Sequence, residues 1–278
     1  MPWSVINSLD KAPMPDKVYK YRFWSKSEHK TILTNQELFF APPLILNKLD
    51  PNDCNVPVRY DLLTPREIYE RYLRHSKRMH PHWKIRQHKD YAIRWRKKAP
   101  FKNEEFKKKT EEEFYQVYSS RFGVLSLTVN PTSFHMWEDY ADGHKGICVG
   151  YNTRVLYQDR VKFGGGGMVD YDDELPIIHP NEEYLEKYRK ITFSKLKKYE
   201  PEEEFRSHKM YENPVEDFGP ERKAIVPVEA FIEVIIGAKI PEDDKAEILT
   251  IMQTQFPDVP IRQARITDQN TIEIEDLA

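Results

Sequence analysis

Phe122-Gly-Val-Leu-Ser-Leu-Thr-Val129 is the stretch from which the fold is read. Leu125, Leu127 and Val129 alternate with Val124, Ser126 and Thr128, the period-2 pattern of a strand, so Ser126 and Thr128 point together to one face. Upstream, Val18 to Phe23 alternates Tyr19, Tyr21 and Phe23 with Lys20 and Arg22 and reads as a second strand. Ser25 to Asn35 reads as a short helix capped by Ser25 or Ser27, and Glu37 to Ala41 as a strand ended by Pro42-Pro43. Leu46 to Pro57 has loop chemistry. Thr64-Pro65-Arg66-Glu67 carries an N-cap, a proline at N1 and a first-turn acid, predicting a helix to Met79. A further helix is predicted over Lys102 to Ser119.

Downstream, Trp137, Tyr140, Ala141 and His144 form an i, i+3, i+4, i+7 stripe, predicting a helix bracketed by Gly143 and Gly146. Ile147 to Tyr151 follows as a strand. Gly164 to Gly167 is expected to join Arg160-Val-Lys-Phe to Met168-Val-Asp-Tyr as a flexible hairpin connection, and Pro180 to Tyr199 to form one charged helix. Strands are predicted at Glu203 to Met210 and within Ile225 to Ile236. A helix is predicted at Pro241 to Gln255, and a hairpin from Ile261 to Thr267 and Thr271 to Glu275. The expected fold is α+β: one domain, 1–278, with a mixed or split sheet and a basic helical insertion at about 62–120.

The 278 residues are 39% apolar and 32% charged, yet 13% are aromatic. That content can build a core and argues against disorder, while no apolar run approaches the roughly 20 residues a bilayer span needs. Cys54 and Cys148, with no CxxC spacing, fit a reducing cytosol, and the first residues do not read as a signal peptide. The formal net charge of −2 conceals an asymmetry. From Arg71 to Lys109, fifteen Lys or Arg face only Asp90, Glu104 and Glu105, so the segment carries +12 and the rest −14. Trp83, Tyr91, Trp95, Phe101 and Phe106 are interleaved, a mixture suited to gripping phosphates and stacking bases, with Arg94, Arg96, Lys97 and Lys98 as the densest run. The competing reading is a solvated helical insertion or a dock for an acidic protein. His80, His82 and His88 lack a carboxylate at metal-site spacing, and no metal is expected.

Glu202, Glu203, Glu204 and Arg206 form the densest polar cluster. In an extended segment Glu202, Glu204 and Arg206 share a face, where neighbouring carboxylates push their pKa values apart and so suit acid–base work. A solvated junction is the alternative. The Trp137, Tyr140, His144 stripe reads either as core packing or as a ligand box. No Walker loop, Gly-x-Ser-x-Gly elbow, HExxH or dinucleotide fingerprint is present.

Several segments resemble the bacterial proteins grouped as domain-of-unknown-function family 2971. They are Val18-Tyr-Lys-Tyr-Arg22, Glu37-Leu-Phe-Phe-Ala-Pro-Pro43, Gly123-Val-Leu-Ser126, Met136-Trp-Glu-Asp-Tyr-Ala-Asp-Gly-His-Lys-Gly-Ile-Cys-Val-Gly-Tyr151 and Tyr199-Glu-Pro-Glu-Glu-Glu-Phe-Arg206. Together they span about residues 18 to 240. The family's Phe-Asn-Asp-Pro-Phe-Asp turn is altered here to Leu46-Asn47, Lys48-Leu49 and Asp50-Pro51-Asn52-Asp53. This resemblance implies a shared fold and no activity.

The order Arg22, Ser126-Leu127-Thr128, Glu202-Glu203-Glu204 is also similar to the Arg-Ser-Glu group of ADP-ribosyltransferases, which implies NAD as co-substrate. On that resemblance Arg22 holds the pyrophosphate, Ser126 orients it or a ribose hydroxyl, Glu204 stabilises an oxocarbenium-like cation and Glu202 activates the acceptor. Thr128, Trp137, Tyr140 and His144 are the further cofactor-side candidates. Two alternatives stand beside it. One is a non-enzymatic module that binds nucleic acid or an acidic protein through 71–109. The other is a metal-dependent nuclease using Asp50, Asp53, Glu202 and Glu204. No membrane association is expected.

Overall fold

The computed structural model describes residues 14–48, 50–98, 100–158 and 163–277. Residues 160–162 of the expected hairpin, Leu49 of the altered turn and the first thirteen residues lie outside these. The chain runs β1 (Lys17–Arg22), α1 (Ser27–Thr34), β2 (Glu37–Phe39), α2 (Pro43–Leu46), α3 (Pro65–Met79), α4 (Ile85–Lys98), α5 (Glu104–Arg121) and β3 (Phe122–Thr128). It continues with α6 (Phe134–Tyr140), β4 (Ile147–Asn152), α7 (Thr153–Leu156), β5 (Gly165–Met168), β6 (Asp170–Asp172), α8 (Tyr184–Phe193), β7 (Ser194–Leu196) and β8 (Glu204–Met210). The last elements are β9 (Lys223–Ile225), β10 (Phe231–Ile236), α9 (Glu242–Gln255), β11 (Ile261–Ile266) and β12 (Ile272–Asp276).

Eight strands form one mixed sheet in the order β12-β11-β10-β4-β1-β3-β8-β5. β10 and β11 run parallel and the other neighbours antiparallel, as expected of a mixed sheet in an α+β protein. Residues opposite one another across a ladder share a face. Tyr19 opposes Thr128, Thr128 opposes Glu204 and Ser126 opposes Arg206, so these five point to one side. Val18, Lys20 and Arg22 therefore point to the other side, with Leu125, Leu127 and Phe205.

That second side carries the largest core, in which Trp24, Ile32 and Leu33 around α1 and Ile248 and Met252 of α9 cover Val149, Val234 and Phe205. The first side is covered in two places. Trp137 and Ala141 pack on Tyr19, Tyr21 and Cys148. Tyr115 and Tyr118 of α5 and Ile191 of α8 pack on Phe122 and Val124.

The sheet is nearly parted at its middle. β1 and β3 share a single pair, Tyr19 with Thr128, and further along the same edge Val124 is bridged by Ala41 instead. In the gap the Lys20 ammonium donates to the carbonyl of Ser126. A strand carbonyl deprived of its ladder partner is thus satisfied by a side chain, as a buried polar group requires.

Several local expectations are corrected. Lys26, without a side-chain bond, occupies the N-cap of α1, so neither Ser25 nor Ser27 caps it. Gly165–Met168 is an edge strand paired with β8, not a hairpin connection; three glycines and a methionine carry no periodicity from which to read a strand. The helix expected over 180–199 stops at Phe193, where β7 and then a 3-10 turn, Lys197–Glu202, take over. The α6 helix ends at Tyr140, because Asp142, Gly143 and His144 adopt positive φ. By contrast Thr64 and Glu67 form the expected capping box, and α3 ends at Met79 as predicted. Among the described residues no helix is long and apolar enough to cross a membrane.

Gly123 shows how tightly the seam is packed, since a Cβ there would meet Phe40 Cβ at 2.7 Å and the Tyr211 hydroxyl at 2.8 Å. Gly123→Ala is expected to lower unfolding stability by about 1–3 kcal/mol, the usual range for overpacking. Urea unfolding should show a lower midpoint at unchanged slope, and an unchanged midpoint would refute the close packing.

Candidate functional site

The face shared by Ser126, Thr128, Glu204 and Arg206 ends in a buried network of charge. Arg206 is wholly buried. Its Nε and Nη2 bind Glu204 Oε1 and Oε2 at 2.7 and 2.8 Å, a two-pronged contact that suits the planar guanidinium. Nη2 also lies 2.8 Å from Asp53 Oδ1, while Nη1 donates to the Thr192 carbonyl at 2.8 Å and to Cys54 Sγ at 3.2 Å. Lys195 from β7 completes the set. Its ammonium contacts Glu202 closely, lies 3.4 Å from Glu204 and 3.9 Å from Asp53, and faces the Tyr199 ring.

Glu202 arrives from the 3-10 turn rather than from the strand. Glu203 between the two acids is in the left-handed region at φ 43°, and this bend aims Glu202 and Glu204 from different directions at one lysine. The Glu202 backbone is fixed by Thr128 Oγ1, which donates to its carbonyl at 2.7 Å. At the outer end Tyr140, 38% exposed, donates to Glu202 Oε1 at 2.9 Å. Tyr171 accepts the Glu204 backbone N–H at 2.9 Å. Tyr140 therefore links the buried acids to the surface, and Glu202 is the carboxylate directly beneath it.

Burial alone would raise the Glu204 pKa, but the Arg206 and Lys195 charges and the hydrogen bonds from Arg206 and Ser126 overcome it, leaving a value of about 2. Burial likewise works against the charged forms of Lys195 and Arg206, and the surrounding acids more than offset it, so both are held above their ordinary values. Lys195 stands between the Glu202 and Glu204 carboxylates and contacts both. Lys20 is different. Burial, then the neighbouring Arg22, drives its ammonium well below the usual lysine range, against the weaker pull of Glu204 and Glu202.

Arg22 does not join the acids. It stands on the opposite face of β1, opposite Ile147, with burial lowering its pKa against the weaker pull of Tyr151. The trio Arg22, Ser126 and Glu204 is thus split, with Ser126 and Glu204 together and Arg22 apart. The Trp137, Tyr140, His144 stripe is split too. Trp137 is core, edge-on to Tyr21 at 5.1 Å, with its indole N–H on the Pro131 carbonyl. His144 is buried beside Phe134, its backbone tied to Trp137 and Lys239 and its Nε2 3.2 Å from Glu138. Only Tyr140 faces the site.

Asp50 accepts from the Asn52 N–H within its own loop, whereas Asp53 belongs to the network. No group of three or more His, Cys, Asp or Glu among the described residues is placed to hold a metal ion. Cavities of about 370 and 380 Å³ lie elsewhere, the first against Tyr60 and Glu111, the second against Leu156 and Pro227.

A family model described as "Protein of unknown function (DUF2971)" matches residues 136–209. No curated protein and no solved structure matches the chain. The matched segment contains Tyr140, Lys195, Glu202, Glu204 and Arg206 and leaves β1, Asp53 and the basic helices outside, so the resemblance read over 18 to 240 is supported in the part that builds the charged network.

Lys195 and Lys20 are the network residues that sequence reasoning missed, whereas Asp53 was named only for the nuclease alternative. Neither lysine left a local signal: Lys195 is one of four in Lys190-Ile-Thr-Phe-Ser-Lys-Leu-Lys-Lys198, and the partners of both lie in other elements.

The basic segment is a hairpin of α3 and α4 leading into α5. Its aromatics face inward and pack on one another. Tyr72 stacks on Trp95 at 5.3 Å and His80 on Trp83 at 3.9 Å, Tyr91 touches both tryptophans, and Tyr60 stacks on Phe101 at 5.0 Å. Ser76 and His88 share a buried hydrogen bond of 2.8 Å between the helices. The cations face out. Arg74, Lys77, Arg78, Lys84, Arg86, Lys89, Arg94, Arg96, Lys97 and Lys98 are all exposed, and none is ion-paired with an acid among the described residues.

Arg206→Met leaves Glu204 and Asp53 buried without their main counter-charge, so a loss of about 3–5 kcal/mol is expected in urea unfolding. Replacing Glu204 by Met as well should recover part of it. The Glu204 pKa of about 2 lies below its ordinary value of 4.5, so its contribution is complete above that ordinary value and is lost as pH falls toward 2. The wild type should lose stability across that window more steeply than Glu204→Gln; parallel acid curves would refute the assignment.

Proposed function

We propose that the chain binds nucleic acid through the α3–α4 hairpin. The observation that carries this reading is the set of ten exposed cations over residues 74–98 with no acidic partner among the described residues. On an ordinary surface, mixed signs offset one another; a one-sign field of this density favours association with a polyanion. Five of the cations, Arg86, Lys89, Arg94, Arg96 and Lys97, lie within one half of the α4 circumference, opposite His88, Ala92, Tyr91 and Trp95. Lys98 packs over Trp95, so its charge is held at the helix end.

The test is the salt dependence of binding to a 20-base-pair DNA. Each neutralised phosphate contributes about −0.9 to the slope of log K against log salt, so the α4 face alone should give a slope of about −4. Substituting Arg86, Arg94, Arg96 and Lys97 by Ala should flatten it by about 3 to 4. A flat salt response, or tighter binding to poly-glutamate than to DNA, would remove the reading; the second result would assign the surface to an acidic protein.

A second reading rests on Glu202 lying buried directly beneath the half-exposed Tyr140, with Ser126 and Thr128 on the same face. In this reading the chain cleaves the bond between nicotinamide and ribose in NAD. Nicotinamide leaves with the bonding pair, the ribose carries the oxocarbenium charge, and water or another acceptor closes on it and gives up a proton to Glu202. Glu204, already neutralised by Arg206, orients the site through Lys195, and Arg22 has no part. Wild type should release nicotinamide from NAD and Glu202→Gln should reduce the rate at least about a hundredfold, as general-base loss does. No release by the wild type with water, protein or nucleic-acid acceptors would retire this reading.

A further inference from the structure

We infer that the nucleic acid gripped by the hairpin is double-stranded, held by its phosphates and not by its bases; this rests on the nucleic-acid reading above. Single-strand binders place aromatic rings where successive bases can stack on them. Here the rings that the composition would offer for stacking are already engaged. Tyr72, Tyr91, Trp83, Trp95 and His80 cover one another between α3 and α4, with His75 stacked on Tyr91 at 6.2 Å. Exposing a ring to a base would open the seam that joins the two helices.

The cations, in contrast, suit two rows of phosphate. Arg86 and Lys97 on the outer face of α4 are separated by about 16 Å at the helical rise of 1.5 Å per residue. That exceeds the roughly 12 Å width of a B-form major groove, so one helix laid across a groove reaches the phosphates of both strands. A single strand presents one flexible row, and following it along a rigid face forces it to give up conformational freedom without stacking in return. Among the exposed residues of α4 that are not Lys or Arg, Ile85, Asp90 and Ile93 offer no bidentate contact to a base edge, and Gln87 has its Oε1 engaged by the Lys84 N–H, so binding is expected to depend little on sequence.

The experiment compares the full chain with sequence-matched 20-mers as duplex DNA, duplex RNA and single-stranded DNA, labelled for anisotropy at one fixed salt concentration. Duplexes should bind at least tenfold more tightly than the single strand, and the two duplex arms show whether DNA or RNA form is preferred. A scrambled duplex should bind within about threefold of the first. Emission of the Trp83/Trp95 seam, taken as the difference between wild type and the Trp83→Phe/Trp95→Phe variant, should be unquenched on binding. Single-strand affinity equal to or above duplex affinity, or quenching of the seam on binding, overturns the inference while leaving nucleic-acid binding in place. Failure to bind any of the three overturns the parent reading and this one with it.

Discussion

The body of the protein depends on how Arg206 is neutralised. A guanidinium with no solvent exposure is tolerated only if every donor is satisfied and its charge is balanced. The partners that do this come from three separate places: Glu204 from the same strand, Asp53 and Cys54 from the loop after α2, and the Thr192 carbonyl from the end of α8. Arg206 therefore fixes the loop before the basic helices and the helix before β7 against one strand. Asp53 and Glu204 would leave one cation facing two acids, and Lys195 with Glu202 extends the alternation to the surface. The local conformations follow from this demand. Cys54 is held at φ 51° and Glu203 at φ 43°, left-handed positions that a non-glycine residue adopts when its surroundings over-determine it.

The parted sheet borders the strand that pairs with β8. β3 pairs along its whole length with β8, which carries Arg206, but meets β1 at one residue pair. Where β1 turns away, the free carbonyl of Ser126 takes the Lys20 ammonium, and Ala41 closes the edge beyond. Lys20 thus lies at the seam and Arg206 on the acid face, where Arg206 and Lys195 hold the Glu204 carboxylate ionised.

Elements with their own periodicity were legible in the sequence. The strands at Val18, Phe122, Ile147 and Glu203 and the capped helix at Thr64 follow from spacing of two or of three and four, and these local preferences agree with the final packing. The face assignment of Ser126 and Thr128 was legible for the same reason. Illegible elements were those stabilised from outside. β5 is four residues held only by the ladder to β8. The helix over 180–199 gives way to β7, which is held by its ladder to β6, and pairing with another segment leaves no trace in local propensity. The separation of Arg22 from Glu204 was illegible for a related reason. Parity along β1 places Arg22 beside Lys20, but which face of β1 meets which face of β3 is set by the one pair of Tyr19 with Thr128.

The hairpin obeys a different economy of charge from the body. In the Arg206 network each buried charge has its opposite within a few ångströms; on α3 and α4 the cations repel one another and are held together by an apolar and aromatic seam beneath them. That seam is separate from the Arg206 network, so the repulsion loads the two helices and not the sheet. Like charges at i, i+3 and i+4, such as Arg74 with Lys77 and Arg78, weaken a free helix by a few tenths of a kcal/mol per pair. A polyanion laid on this face removes the repulsion at many pairs together and adds its own attraction. The hairpin is therefore least favourable, electrostatically, when unbound, and the free energy released by relieving that repulsion is available to binding in proportion to the number of cations covered.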